Sequence, residues 1–206
     1  MTSEPAPEPA HAFGGFIGPR TLVGFVRTAA PYLFDGSHPR VGELPEVPDD
    51  GARLHALAFH PLEYDIVARP SYVAQRGAAP FLDAISTAFA PGGPKLTLLV
   101  GHDTNIAHLG GALDLHWKAA DYPANDPPPG GALGFELLRD AHGRRFVRAF
   151  FTAQSMDQLR NLDTLSLKSR PFRQVVAIPG CGTAARNFLC PLADFQTLVA
   201  SKRPAA

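Results

Sequence analysis

Apolar residues fall into regular spacings only after Asp50. "ARLHALAFHPLEYDIVA" has the apolar spacing of a helix, interrupted at Pro61. In "SYVAQRGAAPFLDAISTAFA", Phe81, Leu82, Ile85, Ala88 and Phe89 share one helical face. "PGGP" stops that helix. Lys95 to Val100 is then a short apolar run between glycines, the pattern of a buried strand. A turn at Gly101 to Asp103 and a helix from about Thr104 to Leu113 complete a strand–turn–helix unit. Beyond the loop "YPANDPPPGG", "ALGFELLRD" and "RRFVRAFFTA" predict a hairpin turning at "DAHG". "SMDQLRNL" predicts a short helix and "RQVVAI" a further strand. A last helix starts near Pro191, with Leu192, Phe195, Leu198 and Val199 on one face. Strands and helices mix without a repeat, so the class is α/β or α+β.

Residues 1–50 differ. They are rich in Pro and Gly and weakly periodic, and are expected to be irregular. Within them "GPRTLVGFVRTAAPYLF" allows a short strand or helix. The opening "MTSEPAPEPAHAFGG" lacks the basic and apolar regions of a secretory signal.

Composition narrows the function classes. The 206 residues suit one domain or a large piece of one, and 45% hydrophobic content supports a core. Lys plus Arg and Asp plus Glu each total 19, so the formal net charge is zero. That argues against a broad electrostatic grip on nucleic acid or an anionic membrane. No apolar run is long enough for a membrane-spanning helix. Cys181 and Cys190 fit no zinc spacing and are either two buried thiols or one short disulfide.

The chemistry concentrates in "TLLVGHDTNIAHLGGAL". Ligands of α/β sheets gather beyond the carboxyl ends of strands, where His102 and Asp103 fall. The N–H groups that open the next helix suit an anion there. An aspartate in this place serves as a helix cap or as a chemical group, and the bare pattern leaves both open.

"GHDTNIAHLGGALDLHW", "PANDPPPGGALGFELLRD", "LDTLSL" and "GCGTAARNFLCPLADFQTLV" resemble, in order and spacing, the C-terminal half of the histidine acid phosphatase family. The resemblance is to the bacterial branch of phytases and acid glucose-phosphatases and covers roughly residues 52–206. It implies an α/β, phosphoglycerate-mutase-like domain portion over 51–206, a sheet flanked by helices. It also implies phosphomonoester hydrolysis without metal or other cofactor, on phytate or a sugar phosphate. In that family a histidine of an Arg-His-Gly-x-Arg-x-Pro motif attacks phosphorus. The aspartate of the HD pair protonates the leaving oxygen, which is the role implied for Asp103. His102 is implied to bind phosphate, and Thr104 to lie beside the substrate. Cys181 and Cys190 match a family pair that forms a short local disulfide, which implies a periplasmic or secreted setting for the parent enzyme.

The nucleophile motif belongs far upstream of the HD pair, and the 101 residues before His102 contain no Arg-His-Gly. "AHGRRFV" keeps His-Gly-x-Arg, but Ala141 and Val147 replace the flanking Arg and Pro, and His142 falls in the hairpin turn. The expectation is therefore a proton donor without its nucleophile, inactive alone. Three origins fit: a truncated or frame-disrupted product, one piece of a split enzyme whose partner is the missing N-terminal half, or a non-catalytic phosphate-binding or interaction remnant. The Pro-rich first 50 residues favour the first. The other histidines give no metal pattern: His108 and His116 are read as surface or half-buried residues. A metal-dependent HD phosphohydrolase is disfavoured because its ligands sit on helices. Arg76 is read as a solvated helix residue and Glu136 as a surface or supporting residue of its strand.

Overall fold

The computed structural model describes residues 21–27 as a strand, together with residues 57–119, 121–181 and 188–204. The elements are β1 (Thr21–Arg27), α1 (Phe59–Val67), α2 (Ser71–Ala88), β2 (Leu96–Gly101), α3 (Asp103–Ala112), β3 (Ala132–Arg139), β4 (Arg145–Ala153), α4 (Met156–Arg160), β5 (Phe172–Val176), β6 (Cys190–Pro191) and α5 (Leu192–Ser201). The sheet runs β2-β1-β3-β4-β5, and β6 pairs with β4. β1 is parallel to β2 and antiparallel to β3, and the other ladders are antiparallel. Helices flank this sheet, giving the α/β class.

β1 is one of the two elements allowed for "GPRTLVGFVRTAAPYLF". It pairs Leu22 with Leu96 on one side and with Glu136 on the other, and so lies inside the sheet. The rest of the expectation for residues 1–50 lies outside the described residues.

Pro61 does not interrupt α1. The helix begins at Phe59, so Pro61 sits in the first turn, where its missing N–H has no partner to lose. In α2 the buried positions are Ala74, Ala78, Leu82, Ile85 and Ala88, a face of steps four, four, three and three. Small residues at the start of that face let α3 come close. A Cβ at Gly111 would lie 2.4 Å from the Arg69 carbonyl oxygen and 2.9 Å from Ala74 Cβ, so only glycine fits there.

The main core joins α2, α3, α5 and one face of the sheet through Leu82, Ile85, Leu109, Phe135, Phe151 and Phe195. Trp117 stacks on Phe151 with centroids 4.7 Å apart. One sequence expectation is corrected here. Among the described residues β2 is an edge strand rather than a buried one, and Leu96, Leu98 and Val100 are 60%, 55% and 63% exposed. Alternation puts these three on the face opposite Leu99, which packs against the core.

The hairpin turn is closed by Asp140. Its Oδ1 accepts the backbone N–H groups of His142 and Arg144, and its Oδ2 accepts Arg144 Nε. Desolvation pushes the Asp140 carboxyl up, but these bonds together with the charge of Arg144 outweigh it and hold the carboxyl below its usual range. Gly143 takes φ 79°, the left-handed conformation such a turn needs. His142 is therefore an exposed turn residue.

Candidate active site

The site grows from five consecutive residues, Gly101 to Asn105, where β2 ends and α3 begins. His102 is the N-cap, with extended backbone at φ −105° and ψ 167°. Its backbone N–H donates to Asn105 Oδ1 at 2.8 Å, so the side chain three residues on folds back over the strand end. That fold requires Gly101, since a Cβ there would stand 2.7 Å from Asn105 Oδ1. Asp103 Oδ1 accepts the Thr104 backbone N–H at 2.8 Å and lies 3.4 Å from the Thr104 hydroxyl. His102 is exposed, while Asp103 and Thr104 are half-buried. The three residues singled out from the sequence thus share one helix start, with Asp103 Oδ1 held by the backbone.

The other carboxylate oxygen faces a residue that the sequence did not single out. His60 Nε2, in the first turn of α1, lies 3.7 Å from Asp103 Oδ2. His60 Nδ1 lies 2.6 Å from Asp126 Oδ1. Asp126 is only 3% exposed. Its place is fixed through Trp117, whose Nε1–H donates to the Asp126 carbonyl at 2.8 Å. Asn125 secures the same loop, since its Oδ1 accepts the Trp117 N–H and its own N–H donates to the Trp117 carbonyl. Tyr64, one turn along α1, meets the His60 ring edge-on at 4.9 Å. The rigid loop before Pro127 was legible, but its contact with a residue 66 positions away was not. The one local hint is the carboxylate set directly before three prolines, which bars helix and forces an extended backbone.

Among the described residues, His108 and His116 stand apart from this cluster. His116 contacts Asp114 at 3.0 Å and Asn125 at 3.3 Å on an exposed edge. His108 packs its ring against Gly77 between α2 and α3, and burial lowers its pKa. Among the described residues, no three His, Cys, Asp or Glu side chains are grouped to hold a metal. His60 turns different nitrogens to Asp126 and Asp103, so the two carboxylates do not converge with it on a common point. Cys181 and Cys190 form a disulfide, with Cα atoms 5.0 Å apart. Among the described residues, no helix is long and apolar enough to cross a membrane.

The described residues combine a parallel β2–β1 pair, a helix starting at an HD pair and an antiparallel extension with a crosslinked C-terminal segment. Residues 71–152 match the model of the histidine phosphatase superfamily, branch 2. The chain is 33% identical over 159 residues to the phytase AppA of Escherichia coli, covering 71% of this chain and 37% of that protein. It is 37% identical over 131 residues to a glucose-1-phosphatase of Salmonella typhimurium, covering 62% of this chain and 32% of that one. The solved phytase of Citrobacter braakii superposes with a TM-score of 0.70 at 29% identity, over 76% of this chain and 42% of that one. The chain belongs to the histidine phosphatase family and matches part of that family's domain. It spans about a third of the length of the curated relatives it matches.

Proposed function

We propose that residues 51–206 supply the proton-donor portion of a histidine-type acid phosphatase, with Asp103 as the general acid. The observation that carries this reading is the position of Asp103. It opens α3 at the end of a strand, half-buried, with one carboxylate oxygen held by the backbone and the other turned away from it. Such a carboxyl is preorganised to protonate a leaving alkoxide, a contribution of about 10²–10⁴-fold in rate. His102, exposed at the N-cap, is the group placed to meet a phosphate oxygen, assisted by the helix N-terminus. Thr104 lines the same start of the helix and contacts substrate. The substrates are phosphomonoesters, phytate or a sugar phosphate, in line with the names of the relatives. The disulfide supports an oxidising compartment, periplasmic or secreted.

These 206 residues contain no Arg-His-Gly, and Asp103 delivers a proton only when another group attacks phosphorus. As this polypeptide, the protein requires a complementary nucleophile-bearing segment for turnover. The test is phosphate release from an aryl phosphate and from phytate at acidic pH, with the chain alone and with a separately made N-terminal half of a related phytase. The expected result is turnover in the mixture only. In that mixture Asp103→Asn should slow the alkyl ester more than the aryl ester, because the aryl leaving group needs less protonation. Robust turnover by the chain alone, abolished by His142→Ala, would overturn the reading and make "AHGRR" the nucleophile turn.

A further inference from the structure

Asp126, His60 and Asp103 come from three separate parts of the chain: the proline-rich loop, the first turn of α1 and the start of α3. We propose that they form one electrostatic line, in which buried Asp126 fixes the His60 ring and His60 in turn is a positioning residue for Asp103. The functional meaning of this line rests on Asp103 being the proton donor, but its physical test does not.

The geometry sets the direction of influence. Asp126 is nearly inaccessible, and its carboxylate contacts Nδ1 at 2.6 Å, the length of a charge-assisted hydrogen bond. A carboxylate only accepts, so the proton of that bond belongs to Nδ1. Neutral His60 is thereby held in the Nδ1–H tautomer, with the Nε2 lone pair toward Asp103. When His60 gains a second proton, the charge appears on the side of Asp103 Oδ2. At 3.7 Å that contact is ionic and beyond direct hydrogen-bond length. Cationic His60 favours the carboxylate form of Asp103, and neutral His60 favours the acid form. The ionisation of Asp103 is thus linked to a ring on another helix, whose own charge Asp126 stabilises. The titratable groups that the described residues set against His60 are Asp126 from the loop, Asp103 from α3 and Tyr64 from α1.

The measurement is an NMR titration of the 206-residue chain without substrate, following the imidazole nitrogens of His60 and the side-chain carboxyl carbon of Asp103. Neutral His60 should show the Nδ1–H tautomer. Asp126→Asn should lower the His60 midpoint by about one unit or more, and His60→Gln should raise the Asp103 midpoint by a similar amount. Asp103→Asn leaves the Asp126–His60 bond intact and should lower the His60 midpoint. It supplies a second reading if the other variants fail to fold. An Nε2–H tautomer in the unaltered chain, or midpoints of His60 and Asp103 that ignore each other's removal, would overturn the proposal. Coupled titrations beside a complemented protein that hydrolyses no ester would overturn the reading of function alone.

Discussion

The ring of His108 occupies the space that a side chain at Gly77 would need. A Cβ on Gly77 would lie 2.1 Å from His108 Nδ1 and 2.4 Å from Cε1. The contact lies between α2 and α3, and it carries the first prediction. Gly77→Ala gains helix propensity, worth about 1 kcal/mol in a helix interior. It must also displace a half-buried ring that is itself part of the α2–α3 packing. Overpacking of this kind costs roughly 1–3 kcal/mol, so the variant should be less stable despite the better helix former. Urea denaturation checks this, and the double variant Gly77→Ala with His108→Ala should recover part of the loss.

The same ring makes stability depend on pH. Burial lowers the pKa of His108, and its Nδ1 is buried without a described partner. The folded chain therefore binds fewer protons here than the unfolded chain. This contribution to stability is fully present above the unfolded value of about 6.5, and it is lost as pH falls through the folded value. Denaturation midpoints at pH 7.5 and pH 5 should differ more for the unaltered chain than for His108→Gln. Equal differences would show that this histidine is not the source.

Glu136 ties three strands together. Its Oε2 accepts from Arg148 Nη2 at 2.7 Å and Nε at 3.1 Å, and Arg173 Nη2 lies 3.0 Å from Oε1. The Arg173 guanidinium also stacks on Phe150 at 4.0 Å. Glu136 and Arg148 are 13% and 17% exposed, so the pair is sheltered from salt. Glu136→Gln leaves two guanidinium groups facing a neutral amide and should cost about 1–3 kcal/mol. The cost should persist in half-molar salt, which a surface ion pair would not show.

The disulfide closes a short loop, nine positions apart in sequence. The chain-entropy model gives roughly 2.5 kcal/mol for a loop of this size. Protein made under oxidising conditions should show no reactive thiol when unfolded without reductant. Reduction should lower the denaturation midpoint, and the double variant Cys181→Ser with Cys190→Ser should match the reduced protein. Two reactive thiols in the unreduced sample would count against the bond.

The elements with local determinants were legible in the sequence. "GHDTN" encodes its own turn, because Gly101, His102 and Asn105 satisfy one another within five residues. The β3–β4 hairpin is legible for the same reason, with Asp140 closing its turn. What depends on distant partners was not. The exposure of β2 follows from its place at the sheet edge, while its apolar run alone reads as buried. The place of Asp126 is fixed through Trp117, and its meeting with His60 comes from the position of α1; neither spacing nor composition records that contact. Asp103 could be named from its motif, whereas the ring behind it could not.

The place of β1 has a consequence for the order in which the molecule assembles. The first described strand hydrogen-bonds to two strands made much later, since Val23 pairs with Thr97 and with Phe135. A ribosome releases Thr21–Arg27 long before either neighbour exists, and closing such distant contacts is intrinsically slow. Until the hairpin of β3 and β4 emerges, β1 has at most one partner, and the edge of β1 that β3 later covers stays open to a neighbouring chain. The nascent protein is most prone to join another copy of itself in the interval between synthesis of residue 101 and residue 139, when the middle of its sheet is still unfinished.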